Sequence, residues 1–444
     1  MILLILFLSV FIFYTAVLSC LNFKENYFLK SIISISVSIS FISILYSINL
    51  FLNLSYDTFI IELVCLDLVT VFLTRKTYLD IFKINYKINL SSIYLSLIIL
   101  VGTILFWYKS SRWGGWDAWA IWNLHAKFLF YEECWTNLLT NKISWTHPDY
   151  PIMLPSLIAV FWRGIGYIDP IVPALISYFV FIGILCFIWN SFHNASFKSI
   201  ALLSSMILAI DIRFVLQASS QYADTIVALF ILITVVLFSK RQDKPLVFFL
   251  LLGFFSSMPI WVKNEGNIFF IFTSILMVHQ YKNEPPKIFA FLIGTLPVVL
   301  LYSCFKIFFA PDNDIIGALN TNTYGKVMNL DRYIIVVKHL IDTLIHHFPV
   351  LLVLFFIVLV FYTKALFTRM SFIIFSTLFS YLFVYIITPH DINWHLSSSL
   401  NRLIHHLYPS CIYCSFLVFD KYFSGPIFFK RISLHLDKKF RFLL

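Results

Sequence analysis

The sequence predicts an all-α protein that crosses a membrane many times, and three observations support this prediction. The 444 residues are 60% hydrophobic, only 12% are charged, and the mean hydropathy is +0.88. Because soluble chains of this length carry about 25% charged residues, a globular cytosolic fold is excluded. Apolar runs of about 17–25 residues, long enough to span a bilayer, recur along nearly the whole chain. These runs are continuous rather than alternating, so their backbone groups must be satisfied as helices.

About thirteen of these runs are predicted to be membrane-spanning helices. They cover residues 2–19, 31–53, 57–74, 91–108, 169–190, 199–215, 222–239, 246–260, 266–280, 288–309, 344–363, 371–388 and 403–419. The first run lacks the basic segment and the small-residue cleavage site of a signal peptide. We therefore expect it to be retained as a span.

Lysine and arginine cluster in short loops on one side of these spans and in the tail at residues 421–444. The loop residues are Arg75, Lys76, Lys83, Lys87, Lys240, Arg241, Lys244, Lys282, Lys287, Lys364 and Arg369. Basic loops stay on the cytoplasmic side, so the N-terminus is predicted outside and the tail inside. No contiguous basic face with residues for base readout is visible, so the net charge of +10 does not indicate a nucleic-acid partner.

A polar insert at residues 109–168 interrupts the apolar series on the predicted outer side. Within it, residues 151–163 are too short to span and contain two prolines, so they are predicted to form a helix at the outer interface. Residues 117–131 carry tryptophans and phenylalanines of the kind that form an interfacial belt. We expect accessory helices in residues 1–90 and a catalytic membrane domain in residues 91–420.

The cysteine pattern does not predict a metal site. Seven cysteines are dispersed, mostly inside predicted spans, where cysteine behaves as a small hydrophobe. Cys411 and Cys414 form a CxxC pair within an apolar helix, and no second ligand pair accompanies them. Zinc is therefore not expected.

Asp117, in GGWDAWAIW, is the candidate catalytic residue. A partly buried carboxylate at the membrane rim is suited to accept a proton from a hydroxyl group. The alternative is a solvated N-cap of the following helix, a position that aspartate favours.

His147, Asp149 and Tyr150, in WTHPDYP, are candidate substrate-binding residues. The flanking prolines fix the backbone, and a sugar or phosphate site needs such rigidly presented polar groups. The alternative is a simple turn with a solvated histidine.

Two further outer segments carry charged candidates for substrate binding. Asp224 opens a predicted span, where an acid usually faces a cavity, although it would also favour the helix dipole. Lys263 and Glu265, in WVKNEG, are both candidate substrate-binding residues, and Lys263, which lies outside against the charge bias, is a candidate phosphate ligand. Its alternative role is an exposed ion pair with Glu265, which would stabilise little.

The last outer loop and the start of the final span are rich in histidine. The polar residues there are His390, Asp391, His395, Arg402, His405 and His406. Arg402 and His405, three apart on a helix, are predicted to share one face, where the arginine would bind phosphate bidentately. We include His395 among the substrate-binding candidates. The alternatives are a metal site, which the spacing does not fit, and interfacial anchoring.

Five segments resemble the GT-C superfamily of polyprenyl-phosphate-sugar-dependent glycosyltransferases. In chain order they are GWDAWAIWNLHAK, HPDYPIMLP, YADTIVALF, VKNEG and SSSLNRLIHHLYP. The closer branch comprises bacterial relatives of protein O-mannosyltransferases and of the lipid A aminoarabinose transferase. The resemblance covers roughly residues 90–420. It implies a GT-C-like fold, a lipid-phosphate-linked sugar as donor, no cofactor, and a glycan, lipid or protein hydroxyl as acceptor.

The resemblance also implies roles for individual residues. Asp117 matches the acid of the first large loop, taken as the catalytic base, and Asp224 matches an acid that opens a later span. His147 and Asp149 match loop residues that line acceptor and sugar. Lys263 and Arg402 match cations that stabilise the departing lipid phosphate. Many relatives carry a second acid directly after the first, where this chain has Ala118.

Two other functions remain open from the sequence. A flippase or transporter for lipid-linked sugars would place key charges mid-bilayer, where Glu62 and Asp67 are predicted to lie. A polysaccharide ligase or polymerase would concentrate its site in one long late loop, whereas here the polar residues are spread over five segments. Short loops without sorting signals favour a bacterial inner membrane, with the site facing the periplasm.

Overall fold

The computed structural model describes residues 1–21, 26–81, 90–192, 195, 198–240, 244–313, 321–361, 363 and 368–423, which are helical with no strand. The first nine helices are α1 (Ile2–Cys20), α2 (Tyr27–Phe51), α3 (Tyr56–Ile81), α4 (Leu90–Lys109), α5 (Asn123–Phe130), α6 (Met153–Ile165), α7 (Ile171–Ser191), α8 (Lys198–Ile210) and α9 (Ile212–Ser219). The other nine are α10 (Asp224–Ser239), α11 (Leu246–Val262), α12 (Gly266–Tyr281), α13 (Pro285–Phe308), α14 (Thr321–Met328), α15 (Leu330–His347), α16 (Pro349–Phe361), α17 (Arg369–Ile387) and α18 (Ile392–Phe423). Lys83, Lys87, Arg241, Lys364 and the predicted tail beyond Phe423 lie outside the described residues.

The helices are those of a membrane protein. In the described part of the chain, six helices are long and apolar enough to cross a bilayer, and up to eight qualify if each of two bent pairs counts as one span. Three shorter apolar helices, α6, α10 and α11, fall below that length. The predicted all-α membrane class is therefore confirmed, whereas the number of about thirteen spans stays a prediction.

Each bent pair has a local cause. The axes of α8 and α9 differ by 61°, and the bend occurs at Asp211, whose carboxylate accepts hydrogen bonds from the backbone nitrogens of Arg213 and Phe214. This N-cap restarts the helix in a new direction. The axes of α15 and α16 differ by 107°, and α16 begins at Pro349, a residue that favours the first helical position.

The first three helices pack into the same hydrophobic core as the rest of the described chain. Tyr46 on α2 donates to the carbonyl of Leu129 at 2.8 Å, and Tyr56 on α3 donates to the carbonyl of Val160 at 3.0 Å. The first three helices are therefore not a bundle detached from the residues that follow the predicted boundary near residue 90. Whether residues 1–90 are accessory in function stays a prediction.

The predicted interfacial helix forms as α6, but it is largely buried in the protein. It packs against α1, α2 and α5, and Ile158, Val160 and Trp162 are fully buried. Gly166, with φ of 90°, ends the helix in the left-handed conformation that glycine adopts readily. Its apolar residues thus contact protein, because the insert and the N-terminal helices cover it.

An aromatic cluster ties the insert to the ends of three helices. Trp135 of the insert lies beside Phe51 at the end of α2 and beside Phe309 just after α13, and Trp261 at the end of α11 packs against Phe51. We call this end of the bundle, which carries residues 109–168, the insert end. The candidate site lies there.

Candidate functional site

The start of the insert is held against the turn that precedes α10. The backbone nitrogen of Gly115 donates to the carbonyl of Ser220 at 2.9 Å, and the side-chain amide of Gln221 donates to the carbonyl of Ser111 at 3.0 Å. A β-carbon on Gly114, whose φ is 75°, would lie 2.5 Å from the carbonyl oxygen of Ser220, so this approach requires glycine. As a result, Asp117 and Asp224 lie close together.

Asp224, fully buried, is the centre of the site. Its Oδ1 accepts from the Lys263 ammonium at 3.0 Å and lies 2.7 Å from Nε2 of His406, while its Oδ2 accepts from Nε of Arg402 at 3.2 Å. A buried carboxylate is stable only when paired and hydrogen-bonded, and here three residues from two other elements supply the partners.

Arg402 joins Asp224 to Asp117. Its Nη2 lies 2.5 Å from Oδ2 of Asp117, and its guanidinium stacks over the Tyr222 ring at 5.1 Å. Only 15% of the Arg402 side chain and 12% of the Asp117 side chain are exposed, compared with 0% for Asp224. Together with Glu265, whose side chain is 26% exposed, the Asp117–Arg402 pair forms the partly accessible side of the cluster.

Asp117 does not act as a helix cap. It precedes a π-helical turn at Ala118–Trp122, and its side chain makes no capping hydrogen bond. Turns of this kind are rare and occur frequently at functional sites. The neighbouring Trp116 and Trp119 are half exposed, as expected of belt residues, whereas Trp122 is fully buried.

Lys263 and Glu265 form a second part of the cluster with Tyr150. The Lys263 ammonium lies 3.4 Å from Oε1 of Glu265, and the Tyr150 hydroxyl donates to the same oxygen at 3.2 Å. Burial alone would raise the pKa of Glu265, but the charges of Lys263 and His406 and a backbone hydrogen bond together outweigh it, so the pKa is lowered and the carboxylate stays ionised. Burial and the Glu265 charge raise the pKa of Tyr150 well above its ordinary value, which keeps the phenol a donor. Oε2 of Glu265 has no hydrogen-bond partner among the described residues.

Asp149 anchors the insert to distant segments. Its Oδ2 accepts from the side-chain amides of Asn264 at 2.6 Å and Asn313 at 2.7 Å, and its carbonyl accepts from Nζ of Lys306 at 2.5 Å. These contacts engage Oδ2 and the backbone carbonyl of Asp149. Its predicted role in binding substrate is untested, and its visible contacts position Tyr150, the next residue.

His147 lies beside this anchor in a strained conformation. Its φ of 51° falls in the left-handed region, which is uncommon for residues other than glycine. Its ring stacks on Tyr150 at 4.9 Å, and Tyr150 in turn stacks on Trp122 at 5.6 Å. His147 thus borders the cluster without hydrogen-bonding to it.

Two predicted histidines face other partners. His395 is bonded through Nδ1 to the Thr388 hydroxyl at 2.8 Å and packs on Tyr385. His405 lies 3.2 Å from the Thr225 hydroxyl and stacks on Phe214. The histidine that contacts Asp224 is His406, which the sequence interpretation did not select. It follows Arg402 by four residues, so the helical spacing offered a signal for it.

The charges of the cluster nearly cancel. Its ionised carboxylates and permanent cations are Asp117, Asp224, Glu265, Lys263 and Arg402. The carboxylates outnumber the cations by one, and each of the two predicted phosphate ligands, Lys263 and Arg402, contacts two of the acids. Lys263 contacts acids and is 2% exposed, which leaves Arg402 as the cation that an incoming anion reaches first.

The two membrane acids lie in the N-terminal helices instead. Oδ2 of Asp67 accepts from the Ser9 hydroxyl at 2.5 Å, and Glu62 accepts from the Asn49 amide at 2.7 Å. These bonds join neighbouring helices, so both acids have packing partners. Their function stays open.

Neither a metal site nor a similarity to known proteins indicates the function. Among the described residues, no group of three or more His, Cys, Asp or Glu side chains is arranged to hold a metal. No protein-family model, curated protein or solved structure matches the chain.

Proposed function

We propose that the protein is a membrane glycosyltransferase of the GT-C type, which moves a sugar from a polyprenyl-phosphate donor to a hydroxyl acceptor. The observation that carries the proposal is the bridge from Asp117 through Arg402 to Asp224, which joins a partly accessible carboxylate to a fully buried one. A carboxylate that shares one guanidinium with a second, buried acid is held in place, as a positioned proton acceptor must be. Five sequence segments with the order seen in GT-C enzymes supply this cluster.

In the proposed reaction the acceptor hydroxyl attacks the anomeric carbon of the donor sugar. Asp117 takes the hydroxyl proton as the new C–O bond forms. The bond between the anomeric carbon and the phosphate oxygen breaks, and polyprenyl phosphate leaves with the electron pair. Arg402 stabilises the negative charge that develops on that oxygen.

Arg402 also couples donor binding to the readiness of Asp117. In the structure its guanidinium forms an ion pair with Oδ2 of Asp117. When a phosphate draws the guanidinium away, that oxygen is released and can accept a proton. Lys263 and His406 keep Asp224 in place throughout.

The unpaired Oε2 of Glu265 is buried from solvent, so a sugar hydroxyl reaches it only when the site opens. The carboxylate is fixed by Lys263 and Tyr150 through its other oxygen, so Oε2 is presented in one direction. A hydroxyl donor would satisfy it, as buried polar groups require.

The proposal includes a location and a topology. About thirteen spans, with the insert end on the periplasmic side of a bacterial inner membrane, would place the cluster where lipid-linked sugars are used. The transporter alternative receives no support from Asp67 and Glu62, because both are bonded within the N-terminal helices. The ligase or polymerase alternative shares this face, and acceptor analysis separates it from the proposal.

Replacement of Asp117 by asparagine tests the proposed function. We expect transfer to fall by at least about a hundredfold, the lower range for loss of a general base, because the amide cannot take the proton. The measurement is lipid analysis of a complemented deletion strain, in which the lipid-phosphate sugar accumulates and an envelope glycan lacks one residue. Asp312→Asn, another acid of the chain, is the control and should retain activity. Near-normal transfer by Asp117→Asn would reject the assignment.

A further inference from the structure

Tyr381, on α17, is a buried tyrosine whose hydroxyl has no hydrogen-bond partner in the part of the chain that the structure describes. Five tyrosines among the described residues are less than 2% exposed, and the other four each bond through the hydroxyl. Their partners are the Leu129 carbonyl for Tyr46, Ser399 for Tyr385, Asp211 for Tyr408 and Ser239 for Tyr413. Because a buried hydroxyl without a partner is costly, Tyr381 is an exception that needs an explanation.

Tyr381 adjoins the ion-pair cluster. Its ring meets the ring of His406 edge-on, with 6.0 Å between the centroids. Among the charged groups, Glu265 has the strongest electrostatic effect on Tyr381, and Asp224 has the next strongest. Helix α17 also packs against α18, which carries His406, and against α12, which begins one residue after Glu265. The Tyr381 side chain therefore lies beside both Glu265 and His406.

Glu265 and His406 each have one buried atom that is also unpaired. Oε2 of Glu265 and Nδ1 of His406 have no hydrogen-bond partner among the described residues. The other polar atom of each group is engaged, Oε1 by Lys263 and Tyr150 and Nε2 by Asp224. Three neighbouring residues from three elements thus present three unpaired polar atoms beside one cluster. Polar groups that adjoin without a direct bond are those that an ordered water bridges.

Water has the hydrogens and lone pairs that these three atoms need. Oε2 needs a donor, and the Tyr381 hydroxyl needs an acceptor. Nδ1 needs a donor when the His406 ring is neutral and an acceptor when the ring is charged. Water, with two hydrogens and two lone pairs, satisfies the set in both states, whereas one sugar hydroxyl lacks the second hydrogen that the neutral ring requires. Buried waters typically make about three hydrogen bonds, the number available here.

We propose that Tyr381, Glu265 and His406 bind one ordered water molecule, which ties α17 to the ion-pair cluster. The water donates to Oε2 of Glu265, accepts from Tyr381, and holds Nδ1 of His406 while Nε2 faces Asp224. Tyr381 is therefore a positioning residue, which acts on the cluster through the water. The water site does not depend on the proposed transferase function; only its displacement by a sugar hydroxyl when the site opens rests on that function.

The direct test is a cryo-EM map of the full-length protein in nanodiscs, at a resolution that shows ordered waters. We expect a peak at hydrogen-bond distance, about 2.5–3.2 Å, from Oη of Tyr381, Oε2 of Glu265 and Nδ1 of His406. Tyr381→Phe should lose the peak and keep the helices in place. A direct bond between Tyr381 and Glu265, a space filled by protein, or a peak unchanged in the variant would overturn the proposal.

Unfolding measurements separate a bonded hydroxyl from an unbonded one. Tyr381→Phe should raise the equilibrium constant for unfolding about three- to tenfold, the effect of one lost hydrogen bond. Tyr385→Phe, one turn further along α17, should do the same, because its hydroxyl is bonded to Ser399. Tyr167→Phe, which removes an exposed hydroxyl, should change little. Removal of a hydroxyl that has no partner would leave stability unchanged or higher, and that result for Tyr381→Phe would overturn the proposal.

Nitrogen NMR of His406 reports the positioning role. In protein made with isotope-labelled histidine, the resonances of His406 are those that His406→Gln removes. Tyr381→Phe should shift the Nδ1 resonance, whereas Tyr385→Phe, whose ring packs on His395, should leave it in place. An Nδ1 resonance that is the same in the wild type and in Tyr381→Phe would contradict a water shared by the two residues.

Discussion

At the scale of single residues, Asp224 holds the site together. Removal of its charge by Asp224→Asn leaves Lys263 paired only with Glu265 and Arg402 paired only with Asp117. Because the buried ionic contacts of Asp224 with Lys263, Arg402 and His406 are replaced by weaker contacts to an amide, we expect a loss of about 1–3 kcal/mol in the free energy of unfolding. The measurement is thermal or denaturant unfolding in nanodiscs, together with yield in membranes. Glu284→Gln, which breaks an exposed pair with Lys287, should change stability by less than about 1 kcal/mol. Equal effects of the two variants would contradict the central role of Asp224.

His125 makes stability depend on pH. It is fully buried beside Thr146, and burial, with a smaller contribution from His147, lowers its pKa to about 3. Because the unfolded chain binds the proton near the ordinary pKa of about 6.5, the stability is complete above that pH and is lost as the pH falls toward 3. At pH 5 the cost is about 2 kcal/mol, and His125→Gln should flatten the pH profile by that amount. A variant with an unchanged slope between pH 7 and 5 would refute this account.

The sequence identified most of the residues that meet at the site, but not all of their partners. The acids and Arg402 were predictable because charged residues are costly beside apolar membrane segments and usually have a function. His406 was missed because the spacing of three residues was preferred to that of four. Lys306 and Asn313 were missed for a different reason. They meet Asp149 only through tertiary packing, and no local pattern encodes such a contact.

At the level of the helices, the apolar runs predicted where helices form. They did not predict which helices are buried inside the protein. Residues 151–163 predicted a short helix, and α6 forms there. Apolar residues are equally suited to lipid and to a protein interior, so an apolar run alone does not show which of the two environments the helix contacts. The structure shows that α6 packs against α1, α2 and α5, so its apolar residues contact protein.

The crossing of α11 and α13 depends on two glycines. A β-carbon on Gly253 would overlap the carbonyl of Phe291, and one on Gly294 would overlap the carbonyl of Leu250. Small residues at such crossings let helix backbones approach closely.

Gly253→Ala and Gly294→Ala should therefore each destabilise the protein by about 1–3 kcal/mol, because the helices must move apart. Gly183→Ala within α7 is the matched control, since its β-carbon meets no atom within 4 Å. There the better helix propensity of alanine should leave stability equal or higher by up to about 1 kcal/mol. Thermal unfolding of the three variants in one detergent checks the order. A neutral Gly253→Ala would show that the two helices are not so close.

At the scale of the whole molecule, the open question is which side the insert end faces. Cys134 lies in the insert, and Lys240 follows the last residue of α10, about 24 Å of helix away from Asp224. We expect a membrane-impermeant maleimide to label Cys134 in cells whose outer membrane is permeabilised but whose inner membrane is intact. Lys240→Cys, in a background with Cys134→Ser, should be labelled only after the inner membrane is opened. The reverse pattern would place the cluster in the cytoplasm and end the proposed use of a periplasmic donor.

The ion bridge from the insert to α18 also joins residues that are made at very different times during synthesis. Asp117 enters the membrane early, whereas Arg402 emerges from the ribosome only when most of the chain has been made. Until Arg402 is made, Asp117 and Asp224 lack the cation that they share, and the partly made chain exposes unpaired acids that quality-control proteases recognise. Insertion factors that shield this intermediate would therefore matter more for this protein than for one whose charges pair locally.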